Sequence, residues 1–134
     1  MNFKMNIEET QKLALNFEKR GGLLPVIVQD RQTKEILMLG YANRAAFEET
    51  VNTGLATFWS TSRQELWIKG KTSGDYLKIQ EIRTDCDQDA LVYLVTPQGV
   101  GACHTKNSQG QTRKSCFYRK LNQEKKLDFL EGEK

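Results

Sequence analysis

The sequence predicts an α+β domain, mainly antiparallel strands with two helices in the amino-terminal half. Short runs rich in β-branched and aromatic residues recur between Leu24 and Val95, bounded by Gly, Asn, Asp and Ser. Several are joined by polar turns of a few residues, the connection that antiparallel neighbours use. Helical patterning is confined to two stretches before Leu55. At 134 residues the chain is sized for a single domain, 1–134, with a real core.

Residues 7–20 set Leu13, Leu15 and Phe17 among Glu, Gln and Lys and close on Gly21 and Gly22, which predicts a first, moderately amphipathic packing helix. Residues 24–29, a polar turn 30–34 and residues 35–39 read as a β-hairpin. Asn43 is the expected N-cap of a second helix, 44–52, with an apolar stripe of Ala45, Ala46, Phe47 and Val51 ended by Gly54. Strands at 57–61 and 65–69 are linked by Ser62, Arg63 and Gln64, and residues 76–84 alternate well enough for another. Residues 90–95 form the most apolar strand, 97–101 a turn and 106–111 a polar loop. In the charged tail, Leu127, Phe129 and Leu130 are expected to dock a last turn of helix.

The net charge of +3 is only mildly basic, and no Lys/Arg block is long enough for a nucleic-acid arm. A phosphorylated small molecule is as good a partner as a polynucleotide. Residues 1–20 mix charges without an apolar run of signal-peptide or membrane-spanning type, so a cytoplasmic protein with no membrane partner is expected. Three cysteines cannot all pair internally, and a reducing compartment makes metal binding or catalysis the better account of any that cluster.

The chemistry gathers after residue 84. If the chain is extended there, Asp85, Asp87 and Asp89 share one side and Cys86 faces the other. Three adjacent carboxylates repel, and a hard cation such as Mg²⁺ relieves them, whereas a thiolate suits zinc. A calcium-binding loop is excluded, because its sixth and twelfth positions hold Ala90 and Thr96 where Gly and Glu are needed. The plainer reading is a solvated acidic turn. Cys86, Cys103 and Cys116 lie in one third of the chain without a Cys-x-x-Cys knuckle. Three thiolates fall one ligand short of a closed tetrahedron, which leaves room for a water whose pKa the metal lowers. His104, the one histidine, is either a fourth ligand or a general base.

The His-x-Glu and Pro-Cys-x-x-Cys pattern of zinc deaminases is missing. A cysteine nucleophile, Cys103 or Cys116 activated by His104, Arg113 or Lys114, leaves the aspartates unexplained. The loop 70–74, with Lys69, Lys71, Thr72, Ser73 and nearby Arg63, offers the donors a phosphate requires, although its spacing matches no P-loop and an ordinary turn is the plainer reading. Trp59 and Trp67 are core residues by default, one of them able to stack on a base.

Asp85-Cys-Asp-Gln-Asp-Ala90, Ala102-Cys-His-Thr105 and Arg113-Lys-Ser-Cys-Phe-Tyr-Arg119 together resemble the phosphoribosyl-AMP cyclohydrolases of histidine biosynthesis. Gln29-Asp30, Glu35-Ile-Leu-Met-Leu39, Trp59-Ser60, Ser62-Arg63, Leu66-Trp67, Lys69-Gly70 and Thr72-Ser73-Gly74 match the same family in the same order. The similarity covers residues 22–119 and leaves the charged tail 120–134 outside it.

The resemblance implies a cytoplasmic, intertwined homodimer that hydrolyses the adenine ring of phosphoribosyl-AMP between N1 and C6. It implies one Zn²⁺ per subunit, held by Cys86 of one chain with Cys103 and Cys116 of the other, and Mg²⁺ at Asp85, Asp87 and Asp89. His104 then handles the water proton or protonates the departing ring nitrogen. Trp59, Ser60, Arg63, Lys69, Thr72, Ser73, Arg113 and Lys114 are the substrate-binding set, the basic and hydroxyl groups holding the two phosphate arms. Residues 106–111 look like an insertion relative to the family, which a polar loop accommodates at small entropic cost. The rival from another class is a noncatalytic metal- or nucleic-acid-binding module on the same cysteines. The acidic cluster and the lack of a basic stripe oppose it.

Overall fold

The structure, a computed structural model, describes residues 6–134, so the first five positions of the amino-terminal stretch lie outside the described residues. Its elements run β1 (Leu24–Asp30), β2 (Ile36–Ala42), α1 (Arg44–Thr53), β3 (Thr57–Ser60), β4 (Glu65–Ile68), β5 (Leu77–Thr84), β6 (Leu91–Pro97), β7 (Arg119–Leu121) and β8 (Leu127–Phe129). The architecture is α+β and mainly antiparallel, as the strand patterning predicts.

A four-stranded sheet in the order β2-β1-β6-β5 forms the frame. β1 and β6 occupy its centre because they carry the most apolar alternation: Leu24, Val26 and Val28 are fully buried on β1, and Tyr93 and Val95 on β6. The β1–β6 pair is parallel, with Val26 beside Leu91, while β1–β2 and β5–β6 are antiparallel. The β5–β6 hairpin therefore delivers residues 85–90, its connecting turn, to one end of the sheet.

The smaller hairpin of β3 and β4 joins this frame through Phe58, whose ring lies 5.6 Å from that of Trp67 and 6.1 Å from that of Tyr93. Gly40 on β2 makes the approach feasible, because a β-carbon there would sit 2.6 Å from the Phe58 ring. Helix α1 begins where the sequence places it: the Asn43 side chain accepts from the Ala46 N–H at 2.8 Å, a cap worth about 1 kcal/mol. Gly54 closes the helix with φ at 75°. Thr50 Oγ1 accepts from the Thr57 N–H at 3.0 Å and ties α1 to β3.

Three expectations are corrected. Residues 7–20 are not a helix, apart from a 3₁₀ turn at Glu18–Arg20, and α1 is the one α-helix among the described residues. Leu13, Leu15 and Phe17 are spaced by two, a period that suits an extended chain. The side chain of Gln88 holds that chain open, donating to the Lys12 carbonyl at 3.0 Å and accepting from the Ala14 N–H at 2.7 Å. On α1 the buried face is Ala46 and Thr50, while Val51 is exposed. The tail makes the hairpin β7–β8 instead of a helical turn, because Leu127 and Phe129 alternate across a strand.

Candidate active site

The Asp85, Asp87 and Asp89 carboxylates do converge, with ligand atoms within 4.8 Å of one another. They do so by a different route from the one expected, since the backbone is a tight turn and not an extended strand. Gln88 adopts φ 55°, and the Asp85 carboxylate accepts from the N–H groups of Asp89 at 2.9 Å and Ala90 at 3.1 Å. Lys19 reaches into the cluster, 2.5 Å from Asp89 and 3.2 Å from Asp87, and Arg20 stands 3.4 Å from Asp89. Lys19 first, and then the Asp85 and Asp87 partners, hold the Asp89 carboxyl well below the usual range. Burial, and then the neighbouring Asp89, push Asp85 up. One member thus retains a proton more readily while the turn gathers cations, the behaviour of a site that favours positive charge.

Cys103 and Cys116 come together on two irregular segments that flank the loop 106–111. The Ala102 N–H donates to the Lys114 carbonyl at 2.8 Å, and the Cys116 N–H donates to Leu37 of β2 at 2.8 Å. The loop causes no divergence because it closes on itself: the Asn107 side chain accepts from the Gln109 and Gln111 N–H groups at 3.0 and 2.9 Å. Cys103 is buried, whereas Cys116 reaches solvent at its surface with its sulfur set back against Cys103. Burial first, and the facing Cys103 second, push the Cys116 thiol up to about 11, with Lys69 pulling the other way. A thiol held neutral by burial beside a second sulfur makes a donor pair that a soft cation would stabilise as thiolates.

Cys86 is exposed and does not join them within one chain: among the described residues, the aspartate turn is the one set of three converging ligand side chains. His104 follows Cys103 directly and is exposed.

The other predicted residues fall into two groups. Trp59, Ser60 and Arg63 line a cleft of about 320 Å³ with Tyr41 and Trp67, and Ser60 Oγ accepts from the Arg63 N–H at 3.2 Å. Lys69 lies 5.4 Å from the Trp67 ring, while Thr72 and Ser73 sit exposed on the next turn. Arg113 and Lys114 face inward partners. Arg113 is 8% exposed, stacks 4.0 Å from the Tyr118 ring and donates to the Glu133 carbonyl at 2.8 Å. Lys114 pairs with Asp30 and Glu35, each at 2.8 Å.

Sequence reasoning missed Lys19, Gln88 and Thr105. Thr105 was findable: two residues beyond Cys103, it shares a side of an extended chain, and its hydroxyl lies 2.9 Å from the sulfur. No local pattern marks Lys19, which meets Asp87 from 68 residues away.

The family model described as Phosphoribosyl-AMP cyclohydrolase matches residues 38–118. Phosphoribosyl-AMP cyclohydrolase of Archaeoglobus fulgidus is 53% identical over 109 residues, covering 81% of this chain and 94% of that protein. Its counterpart in Desulfatibacillum aliphaticivorans is 49% identical over 113 residues, covering 84% of this chain and 86% of that protein. The histidine biosynthesis bifunctional protein HisIE of Thermus thermophilus is 50% identical over 121 residues, and there the match covers 90% of this chain but 53% of that protein. No helix among the described residues is long and apolar enough to cross a membrane. With a family match over more than half its length and close relatives aligned over most of it, this chain belongs to the phosphoribosyl-AMP cyclohydrolase family of enzymes.

Proposed function

We propose that the chain hydrolyses phosphoribosyl-AMP in cytoplasmic histidine biosynthesis, opening the adenine ring between N1 and C6. It acts as a homodimer whose active site takes Cys86 from one subunit and Cys103 and Cys116 from the other. The observation that carries this reading is the two-plus-one arrangement of the cysteines, a facing pair in one corner and an exposed third that the same chain does not bring to it. An apolar cleft of about 380 Å³ on the sheet face, lined by Ile27, Ile36, Met38, Leu39 and Phe117, gives a second copy something to cover.

The donor set of three thiols fits Zn²⁺ with one position left for solvent. When bound, zinc supplies a water of near-neutral pKa beside the purine. Ribosylation at N1 leaves the ring cationic, so C6 is the electrophilic carbon. His104, exposed next to Cys103, is placed to take a proton from the attacking water or deliver one to the departing ring nitrogen. Trp59 offers a stacking face in its cleft, with Ser60 beside it. Arg63, Thr72 and Ser73, exposed, and Lys69, half-buried beside Trp67, are the donors for the phosphate arms, and Asp85, Asp87 and Asp89 would hold a Mg²⁺ that offsets phosphate charge. Arg113 and Lys114 are withdrawn from the phosphate set because internal partners engage them. Fixing both ends of the substrate aligns C6 with the solvent nucleophile.

The test is incubation of purified protein with phosphoribosyl-AMP while the ring-opened product is followed. Turnover should disappear on zinc removal and return on zinc addition. Absence of product from zinc-loaded protein, or turnover indifferent to complete zinc removal, would contradict the reading.

A further inference from the structure

Cys103 is held by a chain of hydrogen bonds that reaches the C-terminal tail. Its sulfur lies 2.9 Å from Thr105 Oγ1 and 3.4 Å from the Thr105 N–H that donates to it. The Thr105 hydroxyl in turn accepts from Arg113 Nη1 at 3.1 Å. A guanidinium can only donate, so the Thr105 hydroxyl accepts there and keeps its own proton available for the sulfur. When Cys103 is a metal-bound thiolate it can only accept, and then the Thr105 hydroxyl and N–H are two donors facing it.

Arg113 is itself immobilised from the tail. Its Nε donates to the Glu133 carbonyl at 2.8 Å, and its guanidinium lies 4.0 Å from the Tyr118 ring and 5.4 Å from the Phe129 ring of β8, two rings that stack on each other. The Leu130 N–H donates to the Tyr118 carbonyl at 2.9 Å, and the Ser108 hydroxyl donates to the Lys134 carbonyl at 2.9 Å, docking the tail over the cysteine-flanking loop. Residues 119–134 lie beyond the stretch that the family model matches.

We propose that Thr105 and Arg113 are positioning residues through which the C-terminal hairpin fixes the orientation of the Cys103 sulfur toward a bound thiophilic metal. The proposal rests on the reading of Cys103 as a metal ligand. Hydrogen-bond partners of a ligand orient it and tune the metal, and their loss costs about ten- to a hundredfold in affinity.

The test uses Co²⁺, whose thiolate charge-transfer and visible bands report ligand geometry, with Thr105→Val, Thr105→Ser, Arg113→Met and a chain ended after Leu130. Thr105→Val, Arg113→Met and the shortened chain should each weaken Co²⁺ binding by about tenfold and shift the bands. Thr105→Ser should restore both, and Arg113→Met combined with the shortened chain should lose no more than either alone. In metal-free protein, loss of the donors that favour the thiolate should slow iodoacetamide alkylation of Cys103 several-fold in Thr105→Val and Arg113→Met. Thr105→Val is near-isosteric and carries the test if Arg113→Met does not fold. Unchanged Co²⁺ affinity and bands in Thr105→Val, or additive losses from Arg113 and the tail, would overturn the proposal. Failure of the unaltered protein to bind Co²⁺ would overturn the metal reading instead, and alkylation rates equal across all variants would then overturn the relay on its own.

Discussion

Gly101 lies so close to Lys114 that a β-carbon on it would stand 2.3 Å from the Lys114 carbonyl oxygen. That close approach lets the segments bearing Cys103 and Cys116 run side by side, sealed by the Ala102–Lys114 hydrogen bond. Gly101→Ala must push them apart, because the clash is with backbone and not with a flexible side-chain tip. We expect a loss of about 1–3 kcal/mol in stability and a zinc stoichiometry well below that of the unaltered protein. Thermal unfolding and metal analysis check both, and a variant with normal zinc content would show that the approach is dispensable.

Asp30 and Lys114 make a second prediction, for pH. Burial pushes Asp30 up, but the Lys114 ammonium and the Thr33 and Gln32 N–H groups together outweigh it and hold the carboxyl low. Glu35 is also held low, chiefly by Lys114. Lys114 is raised by Asp30 first and Glu35 second. A lowered acid stabilises the fold above its unfolded pKa, and that contribution fades as pH falls through the folded value. A raised amine stabilises below its unfolded pKa, with the contribution lost as pH climbs through the folded value. The cluster therefore supports the fold fully between about pH 5 and about pH 10. Asp30→Asn should cost about 1–2 kcal/mol near pH 7 and little in acid below the folded carboxyl's lowered range. Equal destabilisation at both would contradict this account.

Lys19 is a tethered competitor for any cation at the aspartate turn. Asp89 is buried, but Lys19 and Asp87 are both about half exposed, so Lys19 is solvated enough to be displaced by a divalent cation. Lys19→Met should tighten Mg²⁺ or Mn²⁺ binding at the turn by up to about fivefold in a direct titration. Weaker binding would indicate that Lys19 organises the turn and does not compete for it.

These particulars show why the fold was more legible than the site. Asn43 and Gly54 bracket α1 through local chemistry, and the β1, β2 and β6 runs carry their apolar alternation in plain view. Residues 7–20 misled because Gln88, more than 70 residues along the chain, captures their backbone. The aspartates converge for a reason that strand alternation does not contain, a left-handed Gln88 and two N–H groups folding the turn onto Asp85. The family resemblance put Arg113 and Lys114 among the phosphate ligands, and no local pattern announces Asp30, Tyr118 or Glu133 as their partners. Distance along the chain hid the Gln88, Asp30 and Glu133 contacts, whereas the aspartate turn is local and was hidden by its backbone conformation.

The central claim is that each active site draws sulfur from two copies of the chain, and subunit mixing tests it most directly. Cys86→Ser and Cys103→Ser should each be folded and inactive alone. In a dimer that contains one of each, one site keeps Cys86 from one subunit with Cys103 and Cys116 from the other, while the second site loses both altered positions. Unfolding and refolding an equal mixture should therefore recover about a quarter of unaltered activity if the copies pair at random. A mixture as inactive as its two components would place all three cysteines in one chain's site, or outside the site altogether, and would contradict the account.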